Sequence, residues 1–161
     1  EGGPRVLVCY YSRTGHTKQM AETIASALRD EPSLDVEVRT ICETEPGELL
    51  AADCIVIGTP TYYGSMAAEV KHLFDETVAF HGKLAGKVGG AFTSSANLGG
   101  GNETAIMDVL KAMLVHGMVI TGSASGDHYG PVAIGDLDDR SRDQCAEMGR
   151  SGAALAVKLH G

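Results

Sequence analysis

The chain has no tryptophan, and only three phenylalanines and five tyrosines in 161 residues. No apolar run approaches the roughly 20 residues that a membrane-spanning helix needs. No basic segment followed by an apolar stretch and a cleavage site opens the sequence, so no membrane insertion is expected. Basic side chains are the scarcer charge, with 13 Lys and Arg against 21 Asp and Glu, a formal net charge of −8. That balance argues against nucleic acid or an anionic lipid surface as a partner. The four cysteines, Cys9, Cys42, Cys54 and Cys145, form no C-x-x-C pair. Zinc or a dithiol redox motif is therefore not expected, and no metal site is. Cys9 and Cys54 sit inside apolar runs and read as small core residues in a reducing, cytoplasmic setting.

What is present is an alternation of patterns. Strand-like apolar runs fall at 5–11, 35–41, 54–59, 87–93 and 118–122. Between and after them, apolar residues recur at helical spacing: 20, 24, 27 and 28; 66, 70, 73, 74 and 77; 106, 110, 113 and 114; and 148, 152, 155, 156 and 159. A short helix is expected over 44–52. The stretch Ser123–Arg142 reads as a long polar excursion, and Glu1-Gly2-Gly3-Pro4 as a flexible lead-in. Alternating strands and helices imply a parallel sheet covered on both faces, and the unbroken apolar run at 54–57 suits it. The expected fold is one doubly wound α/β domain over 1–161, with five parallel strands in the order 2-1-3-4-5.

Three loops follow strands one, three and four, where ligands bind in open α/β sheets. The first, Ser12-Arg13-Thr14-Gly15-His16-Thr17, joins a buried strand to a helix start. Free backbone N–H groups and the helix dipole make that junction a ready phosphate site. An ordinary N-cap is the plainer alternative, but a cap needs one hydroxyl, and three surround this glycine. The second loop, Thr59 to Met66, carries Pro60, Thr61, Tyr62, Tyr63 and Gly64. Its tyrosines could pack on a planar ring or merely cover the surface. The third contains Ser94, Ser95, Ala96, Asn97, Leu98 and Gly99, followed by Gly100 and Gly101. Its glycines could let a flat ligand lie on main-chain amides or could form a simple turn.

Together with Tyr10-Tyr11-Ser12, Gly58-Thr59-Pro60-Thr61, Gly64-Ser65-Met66, Gly99 to Thr104, His116 to Ile120, Tyr129-Gly130 and Ala156 to Leu159, these loops resemble the flavodoxin-like flavoproteins. Within them the chain most resembles the WrbA-type NAD(P)H:quinone oxidoreductases, and the resemblance runs from Arg5 onward. It implies FMN as cofactor. Ser12, Arg13, Thr14, Gly15, His16 and Thr17 would take its phosphate. Pro60, Thr61, Tyr62, Tyr63 and Gly64 would flank its ring. Ser94, Ser95, Ala96, Asn97, Leu98 and Gly99 would meet its polar edge and ribityl chain. Gly64 would also carry the backbone peptide that contacts ring nitrogen N5. No side chain is assigned a catalytic role, because the flavin carries the chemistry.

The chain departs from that family in three ways. Two insertions that help build the family's tetramer are shortened, around 43–52 and 123–142. The family's tryptophan is absent, with Phe80 or His81 near its place. The position of its flavin-contacting histidine is Val115, which leaves His116 as a structural residue at a helix end. Two functions remain: an oxidoreductase passing electrons from NAD(P)H to a quinone-like acceptor, or a flavodoxin-type carrier serving a redox protein partner. Segments 59–66 and 93–102 hold no charged residue, which favours stacking of small neutral substrates. A homodimer or homotetramer is expected, with Phe80, Tyr62 and Tyr129 lining a shared cleft.

Overall fold

The computed structural model describes residues 2–161. Strands β1 (Arg5–Tyr10), β2 (Asp35–Thr40), β3 (Cys54–Pro60) and β4 (Val88–Ser95) are followed by two short ones, β5 (Val119–Ile120) and β6 (Val132–Ile134). The helices are α1 (His16–Arg29), α2 (Ala68–Glu76), α3 (Asn102–Val115) and α4 (Asp139–His160). All pairing between strands is parallel, in the order β2-β1-β3-β4-β5. This is the expected order, but the sheet has six strands rather than five. The fifth position is divided: β5 pairs with Val88 and Gly89, and β6 pairs with Thr93, Ser94 and Ser95. Residues 121–131 bulge away between them. The polar composition of 123–142 hid both β6 and the first turn of α4.

Other expectations shift in detail. The short helix expected over 44–52 is of 3₁₀ type: a first 3₁₀ turn, Ile41–Glu43, precedes the segment, and a second, Pro46–Ala51, fills it. Pro46 opens the second and cannot continue a helix already under way. Pro4, expected in a flexible lead-in, is buried, and its carbonyl accepts the Asp35 N–H at 3.0 Å. Glu1 lies outside the described residues.

The sheet buries both faces. On one, Leu7, Ile55, Ile57 and Ala91 pack against Val70, Leu73 and Phe74 of α2 and Ile106, Val109 and Met113 of α3. On the other, Val6, Val8, Val56 and Phe92 pack against Met20, Ile24 and Leu28 of α1 and Cys145, Ala153 and Ala156 of α4. Phe92 is fully buried, and its ring lies over Gly58 of β3, where a Cβ would come within 2.2 Å of it. Cys9, Cys54 and Cys145 are buried core residues, and burial pushes their thiols up to about 11, 12 and 12. Right-handed crossovers set α1 and α4 on one face and α2 and α3 on the other. The loops after β1, β3 and β4 therefore converge at one edge of the sheet.

His116 follows α3 at the opposite edge. It is buried, its Nε2 lies 2.7 Å from the Thr77 hydroxyl, and its Nδ1 has no partner. Burial holds its pKa below the ordinary 6.5, with the nearby His81 adding to the effect. The folded state therefore favours neutral imidazole, while the unfolded chain takes up the proton. The His116 contribution to stability is complete above about pH 6.5, the ordinary histidine value, and is lost as the pH drops below it. Urea unfolding at pH 7.5 and 5.5 is expected to show this loss, and His116→Gln to reduce the difference.

Candidate functional site

The first loop builds an anion site. Gly15, at φ 99°, is the N-cap of α1, and no atom lies within 4 Å of where its Cβ would stand. The Ser12 hydroxyl oxygen accepts the N–H groups of Gly15 at 3.1 Å and Lys18 at 3.4 Å. Its acceptor capacity is thus used inside the loop, and its proton is left to donate outward. Among the described residues, the N–H groups of Thr14, His16 and Thr17 have no acceptor. The first turn of α1 carries no acidic residue, so nothing in the helix competes for its positive end. Thr14 is exposed, with its hydroxyl 3.3 Å from His16 Nδ1, and Arg13 is exposed beside it. His16 Nε2 in turn lies 3.0 Å from the Asp136 carboxylate. Thr17 differs from the expectation of an outward hydroxyl: it is buried and bonded to the Ser94 hydroxyl at 2.8 Å.

The second loop is a two-residue turn. Tyr62 and Ser65 exchange backbone hydrogen bonds of 3.0 Å in both directions. The residues between them, Tyr63 at φ 50° and Gly64 at φ 74°, both take the left-handed conformation that such a turn demands. Tyr63 is the only non-glycine residue at positive φ among those described. The Gly64–Ser65 peptide is held at both ends. Its carbonyl accepts from the Thr104 hydroxyl at 2.6 Å, and its N–H donates to Tyr62. The Ser65 hydroxyl donates to Asp108 at 2.5 Å, and Lys111 followed by Ser65 holds that carboxyl below its usual range. Pro60 is buried at the strand end, and the Thr61 N–H donates to the Ser94 carbonyl at 2.8 Å.

The third loop leaves Ala96, Asn97, Leu98 and Gly99 exposed, while Ser94 and Ser95 stay buried at the end of β4. The Ser95 hydroxyl donates to the Asn97 carbonyl at 2.9 Å. The buried Asn102 amide donates to the Leu98 carbonyl at 3.1 Å, and its Oδ1 has no partner. Gly101, at φ 94°, leaves so little room that a Cβ would lie 2.4 Å from Gly64 Cα. The second and third loops therefore touch through two glycines. Tyr63 is wholly exposed and Leu98 is 83% exposed, one apolar side chain standing free on each loop.

The structure thus brings the three loops together as expected. It does not bring Phe80 or Tyr129 to them. Phe80 ends the 3₁₀ turn after α2, at the far edge, and packs half-buried on the core. Tyr129 lies in the 121–131 bulge, and Val115 is exposed at the end of α3. Thr104, Asn102, Asp108 and Asp136 are the residues the sequence reading missed. The Asn and Thr at the start of α3 were visible within the glycine motif, but their partners, up to 40 positions away, were not.

An open parallel sheet with an anion loop at its topological switch, and apolar side chains above neighbouring loops, defines a phosphate-bearing planar-cofactor protein. A family model described as a flavodoxin domain matches residues 7–112, and the chain belongs to the flavodoxin family. A curated flavodoxin from Aquifex aeolicus is 33% identical, covering 91% of this chain and 83% of that protein. An NAD(P)H dehydrogenase (quinone) from Gluconacetobacter diazotrophicus is also 33% identical, covering 96% and 98%. That alignment spans 196 positions, more than this chain's 161 residues, so the relative carries segments absent here. The crystal structure of a flavodoxin, WrbA-like protein from Agrobacterium tumefaciens superposes with a TM-score of 0.83 at 27% identity, covering 98% of this chain and 99% of that one. Flavodoxin is itself a standard instance of the switch-point rule.

The cofactor is FMN, and the residues fit it. The free N–H groups around Gly15 suit its phosphate, and Tyr63 and Leu98 offer apolar cover for its ring. FMN is expected to bind far more tightly than riboflavin in a fluorescence-quenching titration. A charge-assisted hydrogen bond from Thr14 to the phosphate would contribute about 1.5–3 kcal/mol. Thr14→Ala should therefore weaken FMN binding by roughly tenfold or more, with little effect on riboflavin.

A Cβ at Gly64 would meet only the Thr104 hydroxyl, at 3.6 Å, so its cost lies in the backbone. That cost is about 1–2 kcal/mol for a left-handed residue. Gly64→Ala is expected to leave FMN bound and to shift its one-electron reduction potential, read by anaerobic redox titration.

Proposed function

We propose that the chain is an FMN-dependent oxidoreductase that passes electrons from NAD(P)H to a quinone or similar small acceptor. The observation that carries this reading is the flavin-facing surface. Segments 59–66 and 94–102 hold no charged residue, and the Gly64–Ser65 peptide between them is fixed at both ends by Thr104 and Tyr62. A neutral, rigid rim suits the stacking of uncharged rings in turn. A carrier that docks on a basic protein gains from carboxylates at the same rim. Among the relatives, the NAD(P)H dehydrogenase (quinone) supports the reading over nearly its whole length.

Bound FMN would supply acceptance and release of the hydride. The chain's residues hold and orient it. The Ser12 hydroxyl and the N–H groups of Thr14, His16 and Thr17 would anchor its phosphate. The Tyr62–Ser65 turn would fix one side of the ring, and the 94–99 loop its polar edge. Shelter from water has to come from elsewhere, because both loops are open. Phe80 lies at the far edge of its own sheet, so it would reach a flavin only from a second copy of the chain.

The second reading, a flavodoxin-type electron carrier, is favoured by the equal identity to the Aquifex aeolicus flavodoxin. The two are separated by steady-state oxidation of NADH and NADPH with benzoquinone as acceptor. Turnover well above that of free FMN is expected. Dilution to monomer, or Phe80→Ala, should lower it while changing FMN affinity less than about twofold. No turnover with either donor, together with rapid reduction by a flavodoxin reductase, would establish the carrier instead.

A further inference from the structure

The divided fifth strand leaves a cavity of about 320 Å³ that none of the flavin loops lines. Its floor is the start of the sheet's central strands, Cys54 and Val56 of β3 and Val88 to Gly90 of β4. Its roof is the 121–131 bulge, and Met148 and Ser151 of α4 close one side. The flavin loops leave the other ends of these strands, so the cavity and the flavin edge are separate. A volume near 300 Å³ is the lower bound of ordinary small-molecule sites, roughly that of a one-ring or two-ring compound.

The roof is fastened rather than loose. Asp127 accepts both guanidinium nitrogens of Arg140, at 2.8 and 3.1 Å, and the Val132 N–H at 2.9 Å. Its own N–H donates to the Gln144 side-chain oxygen at 2.8 Å. The Ser123 N–H donates to the His128 carbonyl at 3.0 Å, closing the loop on itself. A single carboxylate thus joins the bulge to β6 and α4. The cavity is formed before any ligand arrives, which removes much of the ordering cost of binding.

Its lining specifies a class of ligand. Gly89 and Gly90 add no side chains to the floor, and methionines fill the space beside them, Met113 and Met118 at Gly89 and Met148 at Gly90. The Met148 thioether and the half-exposed Tyr129 ring offer the soft and aromatic contacts that favour an aromatic partner. The hydroxyls of Thr121, Ser125 and Ser151 and the Gln144 amide NH₂ make no hydrogen bond among the described residues and can serve polar substituents. Among the described residues the carboxylate of Glu147 has no counter-ion, and that of Asp127 is already paired, so anions are disfavoured. We propose that this cavity is a second binding site, separate from the flavin loops, for an uncharged aromatic ring bearing hydroxyl or carbonyl groups. Tyr129, expected from the sequence at the flavin cleft, belongs to this site instead.

The test is an amide NMR titration of the FMN-loaded protein with phenol, benzoate and cyclohexanol. Phenol is expected to shift the amides of Gly89, Gly90 and Gly122 and the Gln144 side chain saturably, leaving Gly15 and Gly64 unmoved. Benzoate and cyclohexanol should each bind about tenfold more weakly, for want of neutrality and of an aromatic face. Ser151→Trp, on the exposed side of α4, should fill the cavity and abolish the phenol shifts while FMN affinity stays unchanged. Ser125→Trp, on the roof, is the second variant should the first fail to fold. No shifts with phenol, shifts confined to residues 62–65 and 94–99, equal binding of benzoate, or shifts that survive both tryptophans would each overturn the proposal. Because the readout is binding and not turnover, it stands or falls apart from the oxidoreductase reading.

Discussion

Two hydroxyl pairs at the carboxyl edge of the sheet hold the site in register. Thr17 of α1 bonds Ser94 of β4 across 77 positions of sequence. Thr61 bonds Thr93 at 2.8 Å, and Thr93 bonds the Thr59 carbonyl at 2.7 Å. The anion loop, the tyrosine turn and the glycine loop are thereby fixed to one another and not only to their own strands. Hydroxyls suit the task because each both donates and accepts, so each pair is satisfied without a charged partner. Paired in this way, the groups escape the penalty of buried unsatisfied polar atoms, and loosening one leaves its neighbour to meet that penalty.

Much of this was legible in the sequence because the relevant signals are local. Continuous apolar runs mark β1 and β3, which are covered on both faces. Gly15 among three hydroxyls marks the anion loop. What escaped is what neighbours far along the chain decide. Val132-Ala133-Ile134 is too short to announce a strand, and it is one only because the end of β4 needs a partner. Thr17 reads as a phosphate donor until Ser94 is placed beside it. Thr104 lies within the glycine motif, but its bond to Gly64 spans 40 positions, and Asp136 reaches His16 from a segment that carries no local mark of the site. Phe80 and Tyr129 lie away from the loops of their own chain, and a family pattern says nothing about which edge of the sheet an aromatic side chain ends on.

The flavin edge and the divided-strand cavity show two ways in which one open sheet makes room for ligands. At the first, room comes from loops whose glycines let main chain approach closely. At the second, it comes from a strand that leaves its place and returns. Both are possible because the aliphatic core, with Phe92 seated over Gly58, is complete without either region.

The broken fifth strand also bears on how copies of the chain can meet. An uninterrupted edge strand is a template for another chain's backbone, and proteins blunt such edges with short strands, bulges and charge. Here one edge is reduced to two residues of β5 and three of β6, separated by the bulge. The other, β2, carries the alternating charges Asp35, Glu37 and Arg39, with Arg39 paired to Glu37 and Glu48. Each edge is therefore blunted against extension by a further strand. Both edges thus work against open-ended sheet growth and leave helix faces and loops as the surfaces better suited to meeting another chain.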